Sequence, residues 1–334
     1  MTPVCLVALA LLSCATSAPP VDPTGSAPDA AAPDTRGTEP RASAGCASQT
    51  ARYAAGSQTG QLTIGGSARS FLLHVPPAHD GRRPLPLVVL LHGGLGTGAQ
   101  LEASALMSPI ADREGFVAVY PDGESRTWNA GRCCGPAVEQ NVDDVAFIGA
   151  LLDHLGGELC LDQRRVYATG MSNGAMLSHR LGCELAERIA AIAPVSGTNV
   201  TDSCTPKRPM PVMHVHGTAD KHVPWEGGLG CGLAAVPFPS VPDSIGGWLA
   251  RDGCTPAAPA LVVEQGDGRC ERQGDCAAAS VILCTITGGG HSWPGGDPKR
   301  LDLPACAQAG EGGQSRTFLA SEQIWAFFRQ HALP

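Results

Sequence analysis

Arg165-Val166-Tyr167-Ala168-Thr169-Gly170-Met171-Ser172-Asn173-Gly174-Ala175 is the stretch that decides the fold. Arg165 to Thr169 reads as a strand and Ala175 to Glu187 as a helix, so a sharp strand-to-helix turn falls on Gly170-x-Ser172-x-Gly174. Such a turn crowds the backbone. Small residues must flank the serine, and its hydroxyl is pushed out at the carboxyl edge of the sheet. The following helix aims its N-terminus at the same place, where the positive dipole end and free N–H groups favour a developing oxyanion. Gly and Ser are common in any turn; the strand before and the helix after make this pentapeptide read as a nucleophile elbow.

Working outward, strand and helix keep alternating. Phe71 to Val75, Leu87 to Leu91, Phe116 to Tyr120, Ile189 to Val195, Val212 to Val215 and Val281 to Ile286 read as strands. Helices are expected over Gln100 to Arg113, Asp143 to Leu155, Asp243 to Arg251 and Phe318 to His331. Leu87 to Leu91 is apolar almost throughout, which suits a central parallel strand covered on both faces. The order predicts an α/β fold with a doubly wound sheet rather than an antiparallel barrel or a helix bundle.

A serine hydroxyl is a poor nucleophile until a base removes its proton, and in this order of elements the base follows the last strand. Among ten histidines, His291 sits in Gly288-Gly289-Gly290-His291-Ser292-Trp293-Pro294-Gly295-Gly296, directly after Val281 to Ile286 and before the final helix. A carboxylate must hold the imidazole tautomer and stabilise its charged form, and it comes between serine and histidine in the chain. Asp220 ends His216-Gly217-Thr218-Ala219-Asp220, just past the strand Val212 to Val215; Asp202, after the preceding strand, is the runner-up. Two backbone donors for an oxyanion are expected from Asn173 and from Gly94 in His92-Gly93-Gly94, with Gly93 next in line. Trp128 and Trp293 flank this site in the chain and are candidates to offer flat apolar surface to a substrate; Trp225 is a third, and Trp325 reads as core.

Other chemistries fit less well. His214-x-His216 with Asp220 and His222 has the look of metal ligands, but the same segment supplies the acid of a triad, so no metal and no cofactor is expected. Gly93-Gly94-Leu95-Gly96-Thr97-Gly98 lacks the lysine and spacing of a phosphate loop. A formal charge of −8 and only 16% charged residues give no basic footprint for nucleic acid.

The chain has 334 residues, 43% of them hydrophobic, enough for a sizeable core. Val4 to Leu12 is an apolar run of signal-peptide length, too short to span a bilayer, and Leu11-Leu12-Ser13-Cys14 resembles a lipobox whose cleavage leaves Cys14 as a lipidated N-terminus. Residues 15–45 are Ala, Pro, Ser, Thr, Gly and Asp with almost no branched or aromatic side chains, and read as a disordered linker. The expected organisation is a signal segment over 1–14, a linker over 15–45 and one folded domain over 46–334. Of fourteen cysteines, twelve lie beyond Cys14, an even number suited to disulfides in an exported protein, and no C-x-x-C pair suggests zinc. The expected location is extracellular or at the cell envelope, with membrane contact only through a lipid on Cys14.

Taken together, Trp128-Asn129-Ala130-Gly131 with Cys133-Cys134-Gly135, Asp143-Asp144-Val145, Gly170-Met171-Ser172-Asn173-Gly174, Ala193-Pro194-Val195, His216-Gly217-Thr218-Ala219-Asp220 and Gly289-Gly290-His291-Ser292-Trp293-Pro294-Gly295-Gly296 resemble the polyhydroxybutyrate depolymerase-like esterases. That group includes feruloyl and acetylxylan esterases and lipoprotein esterases. The resemblance runs from about Ser70 to His331. It implies an α/β-hydrolase fold without a large lid domain and a Ser172, Asp220, His291 triad. The implied substrate is an ester at a polymer or polysaccharide surface, with polyhydroxyalkanoate, feruloyl and acetyl esters as rivals. It also implies a bridge from the Cys133-Cys134 pair to Cys183 and another between Cys254 and Cys276. Cys204, Cys231, Cys270 and Cys306 exceed the family pattern, and Gly227 to Phe238 reads as a stapled insertion beside Asp220. The alternative from a different class is a surface binding module on the same fold; an intact Ser, Asp and His in order argues against it.

Overall fold

The structure, a computed structural model, describes Met1 and residues 39–49, 53–297 and 303–334. Among the described residues the strands are β1 (Gly56–Ile64), β2 (Ser67–Val75), β3 (Leu85–Leu91), β4 (Val117–Pro121), β5 (Leu161–Met171), β6 (Ala191–Val195), β7 (Val212–Gly217), β8 (Gly228–Leu229), β9 (Pro237–Phe238), β10 (Ala260–Gln265), β11 (Gly268–Gln273) and β12 (Val281–Ile286). The α-helices are α1 (Gly98–Ala105), α2 (Met107–Glu114), α3 (Gly135–Glu139), α4 (Asp144–Glu158), α5 (Asn173–Glu184), α6 (Val241–Arg251), α7 (Pro304–Gln308) and α8 (Ala320–Phe328).

One ten-stranded sheet runs β1-β2-β4-β3-β5-β6-β7-β12-β11-β10. From β4 to β12 the neighbours are parallel. Antiparallel pairs add a wing at each side, β1-β2-β4 and β12-β11-β10. The expected doubly wound, mostly parallel sheet is present, and no large lid domain stands over it among the described residues. In these wings β2 was expected as a strand, whereas β1, β10 and β11 were not. β1 alternates half-buried and exposed positions and β10 is mostly exposed, so neither carries the buried apolar run that marks a central strand. The single helix expected over Gln100 to Arg113 is two, because Leu106 takes a left-handed φ of 55° and separates α1 from α2.

Each face of the sheet has its own apolar layer. Trp128, Phe147, Leu151, Met176 and Trp248 fill one, and Phe116, Tyr167, Trp325 and Phe328 the other. Trp325 stacks on Phe116 with ring centroids 4.1 Å apart, a core position as expected.

The expected domain start is corrected. Residues before 46 join the folded unit: Arg41 N–H donates to Asp162 at 3.0 Å, Ser43 N–H donates to Leu161 O at 2.9 Å, and Ser43 Oγ donates to Leu159 O at 2.6 Å. Small residues look like linker in composition, yet Ser43 is held by these hydrogen bonds and Gly45 fits because a Cβ there would stand 2.3 Å from Leu159 O. The expected linker over 15–38 and residues 2–14 of the signal segment, Cys14 included, lie outside the described residues.

Among the described residues six disulfides are formed: Cys46–Cys160, Cys133–Cys134, Cys183–Cys204, Cys231–Cys306, Cys254–Cys276 and Cys270–Cys284. Cys254–Cys276 matches expectation. The bridge from Cys133-Cys134 to Cys183 does not form, because the loop after β6 brings Cys204 to the end of α5, with Cα atoms 4.9 Å from those of Cys183. Cys133 and Cys134 bond to each other instead.

Candidate active site

Ser172 stands between the end of β5 and the start of α5 with φ 56° and ψ −120°, a conformation that costs a non-glycine residue on the order of 1–3 kcal/mol. Its N–H donates to Val195 O at 2.9 Å, pinning the turn to β6. The flanking glycines are sterically required. A Cβ on Gly170 would lie 2.6 Å from Leu91 O, and one on Gly174 only 2.1 Å from the same atom. The elbow is tight because α5 packs straight back against β3.

Asp220 and His291 arrive from the ends of β7 and β12, parallel neighbours in the sheet. Asp220 Oδ2 accepts from His291 Nδ1 at 2.8 Å, and Asp220 Oδ1 accepts the N–H groups of His222 and Val223, each at 2.9 Å. The carboxylate is buried. Burial pushes its pKa up, but the adjacent His291 charge and hydrogen bond outweigh this and hold it below the ordinary value. Burial likewise pushes His291 down, while Asp220 and Glu311 pull it above 6.5. With Nδ1–H committed to Asp220, Nε2 of neutral His291 carries the free lone pair. The runner-up Asp202 sits instead in an exposed ion pair with Arg132 at 3.5 Å.

The loop His92-Gly93-Gly94 passes beside the elbow: a Cβ built on Gly93 would touch Ser172 Cβ at 3.4 Å, and one on Gly94 would lie 3.9 Å from Asn173 Cβ. Neither the Gly94 nor the Asn173 N–H donates to a protein acceptor among the described residues. His92 Nδ1–H donates to Gly93 O at 2.7 Å and its Nε2 accepts from Gly123 N–H at 2.9 Å, so the ring is neutral; burial lowers its pKa.

Trp128 is corrected as a substrate platform. It is fully buried and braces both donor loops: its Nε1–H donates to His92 O at 2.9 Å, while its backbone pairs with the Asn173 side chain. The whole Trp128 loop is anchored from beneath by Asp144, which accepts from Asn129 N–H and Arg69, each at 2.8 Å. Trp293 is also nearly all buried, with its indole N–H on Ser321 Oγ at 2.9 Å, and it lines the cavity that holds Ser172 and His291. Composition and order along the chain brought both tryptophans near the site; which way a ring points depends on the packing around it.

Ser172, His291, Gly94 and Asn173 all line one cavity of about 600 Å³. Its mouth carries the exposed Leu95 and Leu233, and Phe238 lies deeper. Leu233 and Phe238 belong to the segment 227–238, which Cys231–Cys306 ties to the loop that carries Glu311.

His214 and His216 point inward from β7 and are fully buried. His216 Nε2–H donates to Val223 O at 2.9 Å, so its Nδ1 accepts from His214 Nε2–H at 3.1 Å. Burial lowers both pKa values, and this neutral stack supports the Asp220 turn from behind. His222, Cys231 and Cys306 also lie together, but the two sulfurs are bonded to each other and provide no thiolate.

Missed entirely from the sequence was Glu311. Its carboxylate accepts the backbone N–H of His291 and, at 2.8 Å, that of Lys221. It also meets His222 Nδ1 at 3.1 Å. An acidic residue in a Gly-rich stretch, twenty positions beyond His291, carries no local signal of such a role.

A strained serine at the strand-to-helix turn, with an Asp–His pair delivered from the ends of the next strands, defines an α/β-hydrolase. Residues 69–226 match the family model described as Esterase PHB depolymerase. Feruloyl esterase B of Piromyces equi is 31% identical over 236 residues, 67% of this chain and 42% of its own length, so the chain spans less than half of that relative. NocK of Nocardia uniformis subsp. tsuyamanensis, designated an esterase, is 29% identical over 306 residues, 84% of each chain. A solved acetyl xylan esterase from Aspergillus awamori has a TM-score of 0.54 at 16% identity, over 70% of this chain and 94% of its own, a likeness of fold. Residues 69–226 carry the match to the polyhydroxybutyrate depolymerase-like esterase family, and the relatives share its esterase designation.

Proposed function

We propose that this protein is an exported carboxylic ester hydrolase that works through a serine acyl-enzyme. One observation carries the proposal: His291 is bonded to the buried Asp220 at 2.8 Å and shares a cavity with Ser172, held at positive φ. His291 Nε2 takes the Ser172 proton as Oγ attacks the ester carbonyl. Asn173 and Gly94 N–H groups stabilise the oxyanion, and the alcohol leaves with the proton from His291. Water, deprotonated by the same ring, then releases the acid.

The substrate side of the cavity is apolar around Leu95, Leu233 and Phe238, which suits an ester with a bulky apolar acyl or alcohol part. Feruloyl esters lead on this ground, and the name of the Piromyces relative supports them. Acetyl esters of xylan and short hydroxyalkanoate esters, monomeric or polymeric, are the rivals. Six disulfides among the described residues support an oxidising, extracellular or envelope location; a lipid on Cys14 is part of the proposal.

The test is a fluorophosphonate probe followed by mass mapping, on wild type and His291→Ala. Label on Ser172 that vanishes in the variant is expected, followed by turnover of a feruloyl ester. A folded, oxidised protein that takes no label would sink the hydrolase reading in favour of a binding module.

A further inference from the structure

We propose that Glu311 is a positioning residue for the esterase reaction, a buried carboxylate that clamps the Asp220 loop to the His291 loop and sets the pose of the catalytic imidazole. This rests on the serine-esterase reading above. Glu311 has its side chain almost wholly buried and makes three contacts that converge on the site. Oε1 accepts the His291 N–H itself. Oε2 accepts the N–H of Lys221, the residue after Asp220, at 2.8 Å and meets His222 Nδ1 at 3.1 Å. The His222 ring in turn stacks on His291, with centroids 4.6 Å apart and planes 13° from parallel. Backbone, ring face and partner loop of the general base are thus all referred to one carboxylate.

The surrounding chain is built to deliver it. Cys306 accepts the Glu311 N–H at 3.0 Å and is bonded to Cys231 across the Asp220 side of the site. Gly312 N–H donates to Ala219 O at 3.0 Å and Gly290 N–H to Gly313 O at 2.8 Å, so residues 311–313 are threaded between the two loops. Gly290 leaves the room: a Cβ there would stand 2.3 Å from Glu311 Oε1. A buried carboxylate with this many donors is held ionised. Burial raises its pKa, but His222 and the two backbone N–H groups bring it below the ordinary value.

Charged and titratable groups around His291 are Asp220 on Nδ1, His222 on its face, Glu311 at its backbone and His216 behind Asp220. Two of these are anionic, so removing Glu311's charge lowers the His291 pKa while removing its reach misplaces the ring. Two variants separate the effects. Glu311→Gln keeps the length and loses the charge; Glu311→Asp keeps the charge and draws it back by one methylene.

The experiment measures kcat, KM and the pH profile of kcat/KM on p-nitrophenyl acetate, with fluorophosphonate labelling and circular dichroism of each protein. Expected is a kcat about 10- to 100-fold lower in both variants with KM little changed, the cost of a small misplacement of a catalytic group. The acid limb of the profile moves to lower pH in Glu311→Gln and stays in place in Glu311→Asp. Wild-type kcat and an unmoved acid limb in folded Glu311→Gln would overturn the proposal. If Glu311→Gln does not fold, a wild-type kcat in Glu311→Asp would overturn it equally. A wild type that takes no label fails the serine-esterase reading itself, a separate result.

Discussion

Trp128 and Asn173 are tied to each other twice. Asn173 Oδ1 accepts the Trp128 backbone N–H at 2.7 Å, and Asn173 Nδ2 donates to Trp128 O at 2.9 Å. The residue after the nucleophile is thereby locked to the loop whose indole N–H holds His92 O. Both N–H donors proposed for the oxyanion are positioned by one buried tryptophan. Trp128→Phe keeps much of the shape and leaves His92 O without that partner. We expect a loss of about 1–3 kcal/mol in urea denaturation, with a fall in kcat larger than any change in KM. Equal kcat in wild type and variant would detach Trp128 from the donors.

Ser172→Ala should lower kcat by about a millionfold, as in a comparable triad, and abolish fluorophosphonate labelling. Ser172→Gly tests the strain separately. At φ 56° glycine is relieved of a steric cost that alanine shares with serine, so Ser172→Gly should be the more stable of the two inactive variants in thermal melts. The reverse order would mean that the turn is not strained.

His291 has a pKa held above 6.5, so the neutral base is lost on the acid side and the limb of kcat/KM should fall above pH 6.5. Asp220→Asn removes the main anion beside the ring. The limb should then move to lower pH, and the plateau drop by roughly ten-thousandfold as the tautomer is no longer held. For stability the signs oppose. The raised His291 pKa contributes stability that is full below its ordinary value and fades as pH rises through the folded value. The lowered Asp220 pKa contributes stability above its ordinary value that is lost as pH falls through the folded one. Chemical denaturation across pH 3 to 9 should show Asp220→Asn losing the acid-side dependence first.

Cys231 and Cys306 close a loop of 75 residues around the site. Replacing both by Ser should lower stability by about 2–4 kcal/mol. Activity should fall as well, since Glu311 and Leu233 are both carried near the staple. Full activity in the folded double variant would reduce the bridge to a simple cross-link.

Gly174→Ala places a Cβ 2.1 Å from Leu91 O, a backbone atom of a fully buried strand. No side chain there can swing away. Soluble yield and the melting temperature should collapse, whereas Gly149→Ala, on α4 with open space around it, should leave both intact.

What could be read from the chain alone was whatever is local or ordered by the chain. The elbow at Gly170 to Gly174 is a steric requirement of five consecutive residues, and the apolar run Leu87 to Leu91 is a buried strand in any context. Asp220 and His291 followed from their places after two successive apolar strands, because a parallel sheet puts the ends of such strands on one edge. The even cysteine count announced disulfides. The tertiary structure decided what depends on contacts between distant residues. Cys183 met Cys204 because the loop after β6 passes the end of α5. Ser43 was drawn onto β5 because a short polar chain satisfies the Leu159 and Leu161 backbone. Trp128 turned inward to close an apolar layer and two donor loops. Glu311 became part of the site only when its loop was threaded between Asp220 and His291. Hydrogen bonding and burial are set by which surfaces meet, and a linear chain does not carry that information residue by residue.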